Sequence, residues 1–285
     1  MHFLLFALLL GGGDSRHRAA DHQARVAQVK RVFLVILENT DASVAENLPF
    51  VARLAARGAI LRNTRCIGHP SQPNYLALAS GSTHGVTGSE PLSIDATHLG
   101  DLMERRGLTW KLYAESYPGN CFLGETFGPI PSGQYVRRHV PFLSFVNVQQ
   151  DFTRCAAHIV DARKFDEDLI ARQLPALSIY VPNNLNNGHD SNALFADQWL
   201  ESKFGSLIDD PRFIDEALFI VTYDESASPD LRVTTVFFGS MVRAGASSFD
   251  VYDHYDLLRT IENLFALGTL GRFDAAARPV TGIWK

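Results

Sequence analysis

Cysteine is scarce in this chain of 285 residues. Its three thiols are too few for a disulfide scaffold, and they lack the close pairing of a zinc knuckle. Lysine and arginine form no run and the formal net charge is -5, which excludes the basic stripe that a nucleic-acid surface depends on. Long apolar runs are missing too. Residues 3–10 are apolar but too few to cross a bilayer as a helix, so no transmembrane segment is expected. Neither an internal repeat nor a low-complexity segment is visible, which excludes a solenoid. What is present has the balance of a soluble globular protein. With 46% apolar and 20% charged residues, the chain can bury a core in one large α/β domain or two small ones.

The apolar stretch 3–10, followed by Gly11, Gly12 and Gly13, has the look of the hydrophobic part of a signal peptide. Residues 14–28 are polar, carry no strand pattern and read as a linker. Residues 1–30 are therefore set apart as a signal peptide and flexible segment, and a secreted or periplasmic location is expected. A disordered apolar tail or a misassigned start codon is the other reading.

Regular patterning begins at Arg31. Residues 32–37 form a continuous apolar run rich in β-branched side chains, as a parallel strand buried on both faces requires. Residues 48–56 have helical spacing and stop at Gly58, which reads as a C-cap. Further strands are expected at 59–67, 108–114, 176–181, 217–223 and 233–238. Further helices are expected at 73–79, 98–106, 164–172, 197–208 and 255–267. Between 117 and 161 the pattern weakens and Gly, Pro and aromatic residues take over, as in a functional insertion or lid. Alternating strands and helices predict an α/β fold with a mostly parallel central sheet and helices on both faces.

In such sheets ligands bind at the carboxyl ends of the strands. Glu38 and Asn39 follow the first strand. His69, Pro70 and Ser71 follow the second. A run from Asn183 to Asp190 that includes His189 follows the strand at 176–181, and Asp224 and Glu225 follow the strand at 217–223. Ser71 precedes an apolar helical run. A hydroxyl at a helix N-terminus meets free N–H groups and the positive end of the dipole, and both favour a phosphate there. An N-cap role alone accounts for such a serine equally well. Two acidic pairs at neighbouring strand ends suit one hard divalent cation, although a cap and a turn would explain them as well. His189 and His254 lie in polar loops, where a histidine can donate to a phosphate oxygen or protonate a leaving group. His69 and His84 are weaker candidates, and His139 and His158 read as structural.

Several segments together resemble the phosphoesterase family, which contains secreted bacterial acid phosphatases and phosphocholine-type phospholipases C. They are Leu37-Glu38-Asn39, the run His69-Pro70-Ser71-Gln72-Pro73-Asn74-Tyr75, and Ser80-Gly81. The likeness continues at residues 135–141, Val181-Pro182-Asn183, His189-Asp190, Asp197 with Trp199-Leu200, residues 221–225, His254-Tyr255 and Ile283-Trp284. It covers roughly residues 31–285, read as one domain with a loop-rich insertion at about 117–161, and is greatest to the small secreted acid phosphatases. The resemblance implies an alkaline-phosphatase-like fold and a metal-dependent phosphoric-ester hydrolase, most simply an acid phosphatase acting through a phosphoserine. It implies Ser71 as nucleophile and Glu38, Asn39, Asp224, Glu225 and the Ser71 oxygen as ligands of one divalent cation. It places His189 and His254 near the phosphate. The expected partner is a small phosphorylated substrate or a phospholipid headgroup.

The chain departs from the family pattern in places. Asn187 stands where the family often has a carboxylate, which weakens any second cation site. Thr40 and Asp41 replace the usual residues after Glu38-Asn39, and Ser226, Ala227 and Ser228 follow Glu225. Cys121 and Cys155 both fall in the insertion, and a disulfide between them is expected, leaving Cys66 free. The rival readings are a phospholipase C-type phosphodiesterase, a phosphoinositide monoesterase, which the resemblance also allows, and a non-catalytic relative that binds phosphate or a cation.

Overall fold

The computed structural model describes residues 29–130 and 133–285; the expected signal peptide lies outside the described residues. In the first half of the chain run β1 (Arg31–Leu37), α1 (Pro49–Arg57), β2 (Ala59–Arg65), α2 (Ser71–Ser80), α3 (Leu99–Arg105) and β3 (Trp110–Ala114). Next come β4 (Thr126–Phe127), β5 (Tyr135–Val136), α4 (Phe152–His158), β6 (Ile159–Asp161), α5 (Arg163–Ile170) and β7 (Leu177–Val181). The chain closes with α6 (Ala193–Ile208), β8 (Ala217–Tyr223), β9 (Arg232–Phe238), β10 (Ala246–Ser248), β11 (Tyr252–Asp253) and α7 (His254–Leu264).

The large sheet has the order β10-β2-β9-β8-β1-β7-β3-β6, with β11 also paired to β2. Strand β9 runs antiparallel to β2 and β8, and the remaining pairings are parallel. Central β1 shows why both faces must be covered. Its side chains alternate between Val32, Leu34 and Ile36 on one side and Phe33, Val35 and Leu37 on the other, and all are buried. The first set packs with Tyr75 and Leu76 of α2 and Leu257, Leu258 and Ile261 of α7. The second packs with Phe50 and Leu54 of α1 and Leu200 and Phe204 of α6. Each such side chain contributes about 1.5–3 kcal/mol relative to exposure, so neither layer is dispensable.

Two details differ from the sequence reading. Gly58 closes α1 but is not a left-handed cap; its φ is -125°. Glycine is required there by close approach, because an added Cβ would lie 2.1 Å from the Phe237 carbonyl oxygen of β9. The segment 117–161 is also less open than expected. It holds the β4-β5 hairpin and α4, and β6 adds a strand to the sheet beside β3. Cys121 and Cys155 are joined in a disulfide across it, and Cys66 is free and buried.

Candidate active site

Strands β1 and β8 are parallel neighbours with Leu37 opposite Tyr223. That register carries Glu38 and Asp224 side by side out of the carboxyl end of the sheet, with Asn39 and Glu225 one residue further on. The third contributor is α2, whose first residue is Ser71. Pro70 occupies the N-cap and the Ser71 hydroxyl makes no capping bond, so the cap reading does not hold. Its Oγ instead lies 3.2 Å from Glu38 Oε2 and 3.3 Å from Glu225 Oε1, and can donate its one proton to either.

The surrounding bonds fix this arrangement. The Asn74 side chain accepts from the backbone N–H of Ile67 at 2.7 Å and donates to the Gly68 carbonyl at 2.7 Å, which ties down the turn leading to Ser71. Tyr75, one helical turn after Ser71, donates its hydroxyl to Glu38 Oε1 at 2.6 Å. Asn39 Nδ2 donates to Glu225 Oε1 at 3.0 Å, and His69 Nδ1 lies 2.9 Å from Glu225 Oε2.

Glu38, Asp224 and Glu225 are all almost fully buried. Burial pushes Glu38 up to about 7, with the neighbouring Glu225 adding to the rise and the Tyr75 hydroxyl opposing it. Burial and the charges of Glu38 and Glu225 hold Asp224 well above the usual carboxylate range. Burial also raises Glu225. Neither oxygen of Asp224 has a donor at hydrogen-bonding geometry, and only weak contacts with the Ser71 hydroxyl and the Glu225 backbone N–H ease its burial. Three buried carboxylates, two of their oxygens unmet, are costly unless a cation sits among them. The donor set of carboxylate, amide and hydroxyl oxygens suits a hard divalent ion. Among the described residues, no three His, Cys, Asp or Glu side chains already stand as a finished cage.

The histidines divide differently from expectation. His139, read as structural from the sequence, stands in the site. It stacks on Tyr75 with ring centroids 5.1 Å apart, and its Nε2 is 3.3 Å from Glu38 Oε1. Burial, with Arg138 and His189 nearby, holds His139 well below its usual value. His189 lies 6.4 Å from it, ring to ring, and its Nδ1 is 2.7 Å from Asp190 Oδ1, which orients the ring. His254 is fully buried at the start of α7. Its Nε2–H donates to the Asp224 carbonyl, and burial lowers it to about 4. It braces the end of β8. His69, the weaker candidate, touches Glu225 directly, whereas His158 stacks on Trp110 within the fold.

Arg138, part of the family-like run 135–141 but assigned no role by the sequence, also acts on the site. Its charge acts on Glu38, Tyr75 and His139, and its side chain has no hydrogen-bond partner among the described residues. The available signal was Arg137-Arg138-His139 standing within an otherwise weak pattern. Arg137 is used internally, donating to the carbonyls of Leu92, Leu123 and Leu143. Asn187 is buried; its backbone carbonyl accepts from the Glu38 N–H at 3.0 Å, and its side-chain nitrogen has no partner.

Comparison with known proteins follows the same lines. The model of the phosphoesterase family matches residues 41–268. A probable acid phosphatase of Kluyveromyces lactis is 31% identical, covering 88% of this chain and 62% of its own length. A phosphate-repressible acid phosphatase of Penicillium chrysogenum is 32% identical, over 85% of this chain and 60% of its own. The chain thus spans about three-fifths of these fungal relatives. A phosphatidylinositol-3-phosphatase of Mycobacterium tuberculosis is 32% identical over 89% of this chain and 82% of its own length. Among solved structures, an alkaline phosphatase superfamily protein from Vibrio parahaemolyticus superposes with a TM-score of 0.59 at 13% identity, over 89% of this chain and 71% of its own. Human ectonucleotide pyrophosphatase/phosphodiesterase 5 does so at 0.57 and 11%, over 85% and 96%.

Proposed function

The chain belongs to the phosphoesterase family, and from that premise we propose that it hydrolyses phosphoric monoesters with Ser71 as nucleophile and one divalent cation as cofactor. One observation carries the reading. The Ser71 hydroxyl opens α2 within 3.3 Å of carboxylates from two different strand ends. Glu38, Asn39, Asp224 and Glu225, with the Ser71 oxygen, are the residues that would hold the cation. When bound, it would lower the hydroxyl pKa and neutralise charge on the phosphoryl oxygens.

The chain's own groups supply the rest. The N–H groups of the first turn of α2 and the Arg138 guanidinium favour a phosphate dianion beside Ser71. Ser71 Oγ attacks phosphorus in line while its proton passes to the Glu38 or Glu225 oxygen that it already faces. The ester P–O bond breaks and the alcohol oxygen takes a proton from His189, whose ring Asp190 orients, or from water. Water then attacks the phosphoserine, the serine oxygen recovers a proton, and phosphate leaves. Positioning and charge neutralisation do most of the work in such transfers.

The acid phosphatase relatives support a small phosphorylated substrate. The mycobacterial relative, which matches over most of its own length, supports a phosphoinositide monoester as a second reading. The disulfide between Cys121 and Cys155 supports work outside the cytoplasm. The test is hydrolysis of p-nitrophenyl phosphate beside p-nitrophenyl phosphorylcholine, with and without chelator, for wild type and Ser71→Ala. Chelator-sensitive, Ser71-dependent turnover of the first alone is expected. Preference for the second would move the protein to the phospholipase C-type diesterases. Binding of phosphate without turnover of either would make it a non-catalytic relative.

A further inference from the structure

At the amino ends of β1 and β8, some 20 Å along the strand from Glu38 at about 3.3 Å per residue, lies a cavity of about 580 Å³. Its floor is apolar: Leu169 of α5, Leu207 of α6 and Phe213, all packed on the core under that face. The Phe213 ring lies 4.6 Å from that of Phe33. Its rim is basic, formed by Arg31, Arg172 and Arg212. Asp210 engages Arg212 through two of its nitrogens, at 3.0 and 2.8 Å. The carboxylate near Arg31, Glu216, hydrogen-bonds Lys30 instead. Arg31 and Arg172 therefore have no hydrogen-bonded side-chain partner among the described residues, and two positive charges remain at the cavity mouth of a chain whose net charge is -5.

Arg172 carries a second clue. It follows α5 with φ at 58°, the left-handed position that closes a helix and normally belongs to glycine. Its N–H bonds the Leu169 carbonyl at 3.1 Å, so the turn itself is well made. The backbone calls for glycine, yet a long cation stands there, over an apolar floor.

We propose that this cavity binds an anionic amphiphile: an alkyl or aryl group seated on Leu169, Leu207 and Phe213, with its acidic head held by Arg31 and Arg172. The volume is that of an ordinary small-molecule site, and a guanidinium fork matches a carboxylate, sulfonate or phosphate head. Lying at the other end of the sheet from Ser71, the site is distinct from the catalytic one.

The test uses the full chain and 8-anilinonaphthalene-1-sulfonate, an aromatic anion that cannot be hydrolysed as a phosphoric ester. Fluorescence titration should give saturable binding, reversed by octane-1-sulfonate but not by octyl glucoside or inorganic sulfate. Arg172→Gly should weaken binding at least tenfold with an unchanged or raised urea midpoint, and Arg31→Gln should weaken it as well. Saturating octane-1-sulfonate should leave p-nitrophenyl phosphate hydrolysis uninhibited. Equal displacement by octyl glucoside would reduce the site to an apolar patch, and displacement by sulfate alone would reduce it to a bare anion site. Unchanged affinity in Arg172→Gly, or competition with p-nitrophenyl phosphate, would overturn the proposal.

Discussion

Glu262→Gln should make the protein more stable, and only above pH 5. Glu262 is fully buried in α7. One carboxyl oxygen has no partner and the other meets Arg259 only at 3.5 Å. Beside it stands Asp274, also fully buried, which accepts from the backbone N–H groups of Leu270 and Arg272 at 2.6 and 2.8 Å. Burial first, and the Asp274 charge second, push Glu262 from 4.5 up to about 8. Between those values the folded protein keeps the proton and the unfolded chain gives it up. The stability that Glu262 contributes is therefore complete below pH 4.5 and is lost as pH rises towards 8. At about 1.4 kcal/mol per pH unit, the loss comes to roughly 4–5 kcal/mol. Glutamine keeps the shape, can donate its amide to Asp274 and does not ionise. Urea unfolding of both proteins at pH 5, 6.5 and 8 should give a stability difference that is small at pH 5 and grows to several kcal/mol at pH 8. A difference that stays constant across this range would refute the account of a buried Glu262 that keeps its proton.

Ser71→Ala should lower phosphomonoester turnover by about a thousandfold or more while leaving the thermal midpoint intact; most of the activity surviving would unseat the nucleophile. Asp224→Asn should lose tightly held divalent metal and activity together, measured by elemental analysis of the purified protein beside the rate. Tyr75→Phe deprives the buried Glu38 of its 2.6 Å donor. In chelator, urea unfolding should show a cost of about 1–3 kcal/mol. Replacing Cys121 and Cys155 by serine opens a bridge spanning 34 residues and should cost about 3–4 kcal/mol, read from the same assay.

The sheet was legible where strands were long and buried on both faces, as in β1, β7 and β8, because continuous apolar runs admit little else. The three-residue β6 and helix α4 were not legible. Ile159-Val160-Asp161 is too short to show a period, and Phe152–His158 buries only Cys155. The convergence of Glu38, Asn39, Ser71, Asp224 and Glu225 could be anticipated from strand-end position, since the sheet itself aligns those ends. For His139 and Arg138 only the likeness at residues 135–141 was a signal, because they reach the site from within the insertion, where no regular element announces which way a side chain faces. The pairing of Glu262 with Asp274 was likewise hidden, since it depends on how the chain after α7 folds back.

The antiparallel course of β9 has a consequence for how this protein can vary. Because β9 returns directly beside β8, Asp224 and Glu225 sit in a short hairpin pinned by ladders on both sides. An insertion or deletion between residues 226 and 231 would displace the carboxylates themselves. The segment 117–161 is tied to the sheet at its end by β6, but its stretch 118–130 buries no residue and is under no such constraint. The segment is stapled internally by Cys121 and Cys155, yet it lends Arg138 and His139 to the site. Descendants of this chain could therefore remodel the stretch 118–130, exchanging one ester for another, while the hairpin stays fixed in length.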